Sequence, residues 1–360
     1  MFGQIGSGGS GGGFPDRVYA RLGGCAGEVP IYATRIPTTL ASMGLRFAGI
    51  DEAGYGPMLG PLCVGCVRLT LEDWSAGDGA PDLWETLGRV VSRDRRSARG
   101  RIAIADSKKL KLPSSSVRTH PLAHLERGVL AMLGTERGIP RTDADLYERL
   151  GVEPDAAPWF GGDPIELPVG HDAALLRIDA QELGVAMRSS GLALESIRVG
   201  CMGPARFNEV CATHGTKAAT TAAMIGGHLE TIRDAPEMPH TRIAIDRQSG
   251  RTRYGNLLAR AFGDLETREE SGRASRYGIG ETLGVVLVSG AEDAYFPVAL
   301  ASMAAKYVRE LMMIRFNRYF TAMDPALKPT AGYVSDARRW LRDAGSLLDG
   351  IDRRALVRDA

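Results

Sequence analysis

From Leu45 onward the sequence predicts an α/β layered fold. Short apolar runs of strand length alternate with segments of helical periodicity, the pattern of a sheet covered by helices. The composition, 44% hydrophobic and 24% charged, is that of a soluble globular protein. At 360 residues the chain is long enough to bury a substantial core, as one large domain or two ordinary ones.

Residues 1–44 open on a Gly/Ser-rich run without sustained periodicity, the composition of a flexible linker. Met43 stands just before the first strand, which raises the hypothesis that translation starts there; a native peptide from residues 15–40 would refute it. The apolar run 46–50 is read as a strand that stops at two adjacent carboxylates, Asp51 and Glu52. A loop containing Gly54, Gly56, Gly60, Pro57 and Pro61 follows at once. Further strands are expected at 62–70, 101–105, 196–200, 241–245 and 284–289. Helices are expected at 116–133, 206–233, 254–262, 298–320 and 335–346. Residues 135–170, rich in Pro, Gly and Asp, read as an irregular excursion. In the long helix, Leu300, Met303, Ala304, Tyr307, Leu311 and Ile314 follow helical spacing and should pack inward. Ser302, Lys306 and Arg309 form a second, polar stripe. The chain is thus divided into a Gly-rich extension (1–44), a main domain (45–322) carrying an insertion near 114–196, and a C-terminal helical region (323–360).

A formal net charge of +1 means that a polyanion must be met by local basic patches, since the global field is weak. The five cysteines (25, 63, 66, 201 and 211) are odd in number and scattered, which argues for a reducing compartment. No apolar stretch approaches a membrane span and no signal peptide is visible, so a cytoplasmic protein is expected, with no membrane partner. Cys63 and Cys66 lie on a strand at positions that face opposite sides, so they read as structural thiols. His120 and His124 lack a third ligand; Pro121 places His120 just outside a helix and His124 inside it. Arg89, Arg93, Arg95, Arg96, Arg99 and Arg101 form a basic cluster, read as a solvated loop or a nucleic-acid contact.

The carboxylates carry the chemistry. Asp246 ends the run Arg-Ile-Ala-Ile-Asp, at the strand edge where open α/β sheets bind ligands. Asp293 lies between the strand at 284–289 and the long helix. Acids gathered from different elements repel and raise one another's pKa, and divalent cations relieve this. Hard oxygen ligands suit magnesium or manganese, and two such ions support in-line attack on a phosphodiester.

Four motifs in order resemble ribonuclease HII: Gly-Ile-Asp-Glu-Ala-Gly-Tyr-Gly-Pro (49–57), Asp-Ser-Lys-Lys-Leu (106–110), Ala-Ser-Met-Ala-Ala-Lys-Tyr-Val-Arg-Glu (301–310) and Gly-Tyr-Val-Ser-Asp (332–336). Arg206-Phe-Asn-Glu209 before an Ala-rich helix is similar to that family's central helix. The likeness covers about half of residues 45–346, with insertions near 114–196 and 266–283. It implies an RNase H-like mixed sheet flanked by helices, with a small C-terminal helical region. It also implies two-metal hydrolysis of the RNA strand of RNA–DNA hybrids, or of the phosphodiester 5′ to ribonucleotides embedded in duplex DNA. The implied catalytic and metal-binding acids are Asp51, Glu52, Asp246 and Asp293. One residue fewer separates Asp293 from Ser302 than in the family, which leaves Glu292 as the alternative fourth acid. The implied substrate-binding residues are Gly54, Tyr55, Gly56, Lys108, Ser302, Lys306 and Tyr333, with Lys109 beside them. A monomer acting on nucleic acid is expected.

The first loop departs from the family, which carries Gly-Arg-Gly where this chain has Gly54-Tyr55-Gly56. Glycine backbone still permits approach to a 2′-hydroxyl, but tyrosine lacks the charge and donor fork of arginine. Two other functions are therefore carried forward: a DNA nuclease of junction-resolving or repair type, and a non-catalytic hybrid-binding protein.

Overall fold

The apolar run before the paired acids forms β1 (Leu45–Ala53), which turns through the glycine-rich loop into its antiparallel neighbour β2 (Leu62–Leu71). A computed structural model describes residues 44–359 except 249, so the Gly-rich extension, Met43 and Cys25 lie outside the described residues. A short α1 (Leu83–Thr86) precedes β3 (Val91–Ser92) and β4 (Ile102–Ala103), a small parallel pair separate from the main sheet. Next come α2 (Ser107–Leu110), α3 (Ala123–Arg137), α4 (Asp143–Leu150) and α5 (Ala173–Ser189). Then follow β5 (Leu192–Met202), α6 (Pro204–His214), α7 (Ala218–Arg233), β6 (His240–Asp246) and α8 (Gly255–Phe262). The hairpin β7 (Glu266–Glu270) and β8 (Ser275–Ile279) leads to β9 (Leu283–Val288) and α9 (Ala291–Ala294). The chain ends with α10 (Phe296–Met323), α11 (Val334–Ala344) and α12 (Arg353–Leu356).

Seven strands form one mixed sheet in the order β5-β2-β1-β6-β9-β8-β7. The central β1, β6 and β9 are parallel; the outer pairings are antiparallel. This is the α/β class expected, a mixed sheet flanked by helices. Alternation along the strands divides the core in two. Phe47, Cys63 and Val67 face α10, while Ala48, Ile50, Val64 and Cys66 face α7 and α8. Cys63 and Cys66 therefore diverge as their spacing required. The sequence did not reveal that Cys63 Sγ would lie 3.2 Å from Cys201 Sγ on β5.

Helix α10 approaches the sheet at two glycines. A Cβ on Gly49 would come within 2.3 Å of the Pro297 backbone, and one on Gly65 within 2.3 Å of the Ala301 carbonyl. Absence of side chains at these two points lets α10 rest directly on β1 and β2. Leu300, Met303, Ala304, Tyr307 and Leu311 are buried as their spacing predicts, and Ile314 is half-buried. The stripe Ser302, Lys306 and Arg309 is buried too, so it is no solvated face.

Several elements differ from expectation. The predicted strand 101–105 is reduced to Ile102–Ala103, outside the main sheet. The predicted helix 206–233 is broken at Gly215, whose left-handed φ of 69° ends α6. The predicted helix 116–133 starts only at Ala123, with His120 outside and His124 inside. Within 135–170 the structure adds α4, capped by a reciprocal Thr142–Asp145 pair. Its Asp143 is fully buried and accepts two bonds from Arg315 of α10, at 2.5 and 2.7 Å. Buried Tyr307 likewise donates to the fully buried Glu126 of α3 at 2.7 Å. Both contacts bind the 114–196 segment to the helix that backs the site. At the other end, Trp340 of α11 packs on Phe316 and Phe320, with ring centroids 5.0 and 4.9 Å away. The tail after α12 then bridges to the glycine-rich loop through Leu59 and Val357.

Candidate metal and nucleic-acid site

Register builds the acidic cluster. The β1–β6 ladder pairs Ile50 with Ile245 and ends there, so Asp51 and Asp246 emerge side by side at the ends of parallel strands. Glu52 occupies the next position, beyond the last rung to β6. One carboxylate oxygen each from Asp51, Glu52 and Asp246 lie within 4.8 Å of one another. Adjacent strand residues ordinarily diverge; here the end of the ladder and the longer glutamate side chain bring Glu52 back to Asp51. Asp51 Oδ1 accepts the Glu52 N–H at 2.7 Å, and Asp246 Oδ1 accepts the Ala291 N–H at 3.1 Å.

The two acids left open after β9 separate clearly. Asp293 is exposed (61%), and its carboxylate accepts from Lys109 Nζ at 2.5 Å. Glu292 turns toward the cluster, where its Oε2 is buried without a hydrogen-bond partner. Glu292 is outside the 4.8 Å set of Asp51, Glu52 and Asp246 but close enough for its charge to raise Asp51 and Glu52, while Asp293 is paired with Lys109 in solvent.

Burial raises every acid in the cluster, and neighbouring carboxylates add to it for Asp51, Glu52 and Glu292. Desolvation, followed by the charges of Glu52 and Asp246, holds Asp51 well above the usual carboxylate range, against a hydrogen bond from Ser302. Burial and the Asp246 charge push Glu52 from 4.5 up to about 7, against the pull of Lys108. Burial also raises Asp246, opposed by backbone N–H groups from Ala291, Gly290 and Arg247 and by Lys108. Glu292 rises through burial and the charges of Asp246 and Asp106. Closely packed carboxylates with an orphaned buried oxygen fit a divalent cation, whose charge would reverse these penalties.

Cations border the acids. Asp106 caps α2 by accepting the Lys108 N–H at 2.9 Å, which turns the motif beside the cluster. Burial pulls the Lys108 ammonium down, but Asp106, Asp51, Glu292 and Asp246 outweigh it and raise its pKa. Ser302 and Ser107 are both buried, with their hydroxyls 2.9 Å apart. Lys306 is held by Glu310 one helical turn on, at 2.8 Å, and donates to the Tyr333 hydroxyl at 3.4 Å. Tyr333 is 47% exposed, so its ring is open to solvent next to the site. Glu310 was readable from its spacing to Lys306.

Gly54 opens the loop with φ of 90°, a conformation that favours glycine. Arg309 Cδ and Nε would meet a Cβ there at 2.7 Å. Its carbonyl accepts from Arg358 Nη1 at 2.7 Å, so the chain's tail holds the loop. No local pattern links residues 54 and 358. Tyr55 lies between the glycines, and its ring packs on a small apolar cluster of Leu62, Met202, Phe207 and Val210. Gly56 is open, with nothing near its Cβ direction. In the Arg-rich segment, Arg101 donates to the carbonyls of Ala98, Gly88 and Ser97, while Arg93 stacks on Trp84 and pairs with Asp82. Arg101 thus shapes the loop itself, while Arg93 also donates to the Asp293 carbonyl at 3.1 Å.

No family model matches the chain. Ribonuclease HII of Methanococcoides burtonii is 31% identical over 83 residues, 23% of this chain and 27% of the relative. The match thus spans about a quarter of that curated relative's length. This supports the resemblance to ribonuclease HII read from the motifs. Among solved structures, the ribonuclease HII of Archaeoglobus fulgidus, in a complex with PCNA, is 18% identical with a TM-score of 0.41. It covers 87% of this chain and 93% of that one. The ribonuclease H2 of Pyrococcus horikoshii OT3 is 16% identical with a TM-score of 0.38, covering 86% and 92%.

Proposed function

We propose that this protein is a metal-dependent endoribonuclease that hydrolyses the RNA strand of RNA–DNA hybrids, or the phosphodiester 5′ to a ribonucleotide embedded in duplex DNA. The observation that carries this reading is the convergence of Asp51, Glu52 and Asp246 within 4.8 Å, beside the orphaned Glu292 oxygen. Asp51, Glu52, Asp246 and Glu292 hold the ions, with Glu292 in place of Asp293. Asp293 is exposed and pairs with Lys109. Magnesium or manganese ions, when bound, supply an activated water nucleophile and stabilise the leaving oxygen.

The protein's own residues position the strand. Gly56, with open space in its Cβ direction, leaves the loop accessible to close approach by a ribose, the sugar whose 2′-hydroxyl separates RNA from DNA. Lys108 meets a phosphate next to the acids. Lys306, fixed by Glu310, orients Tyr333, and the exposed ring packs against a sugar. Ser302 steadies Asp51 from the α10 side.

Duplex DNA bearing one ribonucleotide and a matched RNA–DNA hybrid, each with magnesium or manganese, provide the test. Cleavage by the wild type and its loss in Asp51→Asn are expected. Failure to cut either substrate with either metal refutes the proposal. Tyr55, which leaves the loop without a guanidinium of its own, motivates a second reading as a DNA nuclease. Cleavage of all-DNA duplexes at comparable rates would favour that reading.

A further inference from the structure

Beside Tyr55, two cations lie without carboxylate partners among the described residues. The break at Gly215 between α6 and α7 brings Lys217 across the loop, with its ammonium 4.9 Å from the centre of the Tyr55 ring and 5.8 Å from that of Phe207. Arg358 stacks on the same Phe207 at 5.0 Å. It is only 1% exposed, and its Nε and Nη2 have no hydrogen-bond partner. Among the described residues neither cation has a carboxylate within 4.0 Å. Burial lowers both pKa values, helped at Lys217 by the Arg358 charge and at Arg358 by the Arg309 charge, with Arg358 reaching about 9. Positive charge gathered in this way is costly unless an anion answers it. Lys217 is half-buried and keeps a solvent-facing side; Arg358 lies beneath and fixes the Gly54 carbonyl. The Glu52 charge reaches the Tyr55 hydroxyl and raises it, so the acids and these cations flank one loop.

We propose that Lys217, seated on Tyr55 and backed by Arg358, is a phosphate-binding subsite for the nucleic-acid strand crossing the Gly54–Gly56 loop. It rests on the endoribonuclease reading and supplies from the α6–α7 turn a charge that the loop itself does not carry. The ring holds the ammonium by its π-face and leaves the N–H donors free for phosphate oxygens. Arg358 is a positioning residue that acts through the Gly54 carbonyl.

Binding of labelled duplex DNA carrying one ribonucleotide, measured in EDTA over a series of salt concentrations, tests this without catalysis. One lost phosphate contact makes the slope of log affinity against log salt shallower by about 0.9. That change, with several-fold weaker binding at low salt, is expected for Lys217→Ala and Lys217→Met, while Lys217→Arg keeps the wild-type slope. Thermal melting with and without magnesium checks the fold and the acid cluster, and Lys217→Met retains the apolar stem should the alanine variant fold poorly. Wild-type slope and affinity in both variants would overturn the subsite and leave the nuclease reading standing. A wild type that neither binds nor cuts this duplex would remove both.

Discussion

The acidic cluster should make the metal-free protein less stable as pH rises. Glu52 is the quantitative handle, because burial and the Asp246 charge carry it from 4.5 to about 7. At about 1.4 kcal/mol per pH unit, that separation makes the ionised form about 3 kcal/mol more costly in the fold than in the unfolded chain. The direction follows from proton counting. Between the two values the folded protein holds a proton that the unfolded chain has released, so stability falls as pH rises. Below 4.5 both states are protonated and the cost vanishes; above about 7 it is complete. Integrated between pH 5 and 8, the loss is about 2–3 kcal/mol from Glu52.

Denaturant titrations in EDTA at pH 5 and pH 8, on wild type and Glu52→Gln, measure this contribution together with the effect of the Glu52 charge on Asp51. The wild type should lose stability across that interval by about 2–3 kcal/mol more than the variant. The variant should also be the more stable of the two at pH 8, since an amide adds no charge to the cluster. Magnesium at about 100 times its dissociation constant should return about 2.7 kcal/mol to the wild type at pH 8 and markedly less to the variant. Equal pH dependence in the two proteins, or a variant less stable than wild type at pH 8, would refute the electrostatic account.

Three further outcomes are expected. Glu292→Gln should weaken magnesium binding by about tenfold or more, at least the cost typical of a lost outer-shell partner, while Asp293→Asn should leave it nearly unchanged; calorimetric titration of the two variants checks this. Gly65→Ala would drive a methyl to within 2.3 Å of the Ala301 carbonyl. Its cost should be about 1–3 kcal/mol in denaturant, with lower activity because α10 carries Ser302 away from Asp51. Asp143→Ala strands the buried Arg315 guanidinium and should cost about 3–5 kcal/mol by the same measurement, whereas replacing both partners with apolar residues should cost far less.

What was legible in the sequence follows from which forces are local. Strands β1, β2, β6 and β9 are apolar runs bounded by turns or charges, and each stands near its expected position because burial on both faces demands such a run. The β7–β8 hairpin escaped because β7, Glu-Thr-Arg-Glu-Glu, is almost wholly exposed and has no apolar alternation to read. Helix α4 escaped inside a Pro- and Gly-rich segment, although its capping pair Thr142–Asp145 was available as a signal. The break after α6 turned on one glycine among many.

In the site, the identities of Asp51, Glu52 and Asp246 were readable because acids interrupt apolar runs at strand ends. Their convergence was not, since it depends on the Ile50–Ile245 register between distant segments. The choice between Glu292 and Asp293 is a question of helical phase. Neighbouring residues on a helix differ in direction by about 100°, so a shift of one position turns a carboxylate out of the site. The phase is set where α9 begins: the Ala291 N–H donates to Asp246 Oδ1, which docks the first turn against Asp246. With Ala291 fixed there, Glu292 faces Asp246 and Asp293 swings to Lys109. The direction of these two neighbouring acids thus depends on a contact between distant segments that no spacing rule along the chain contains.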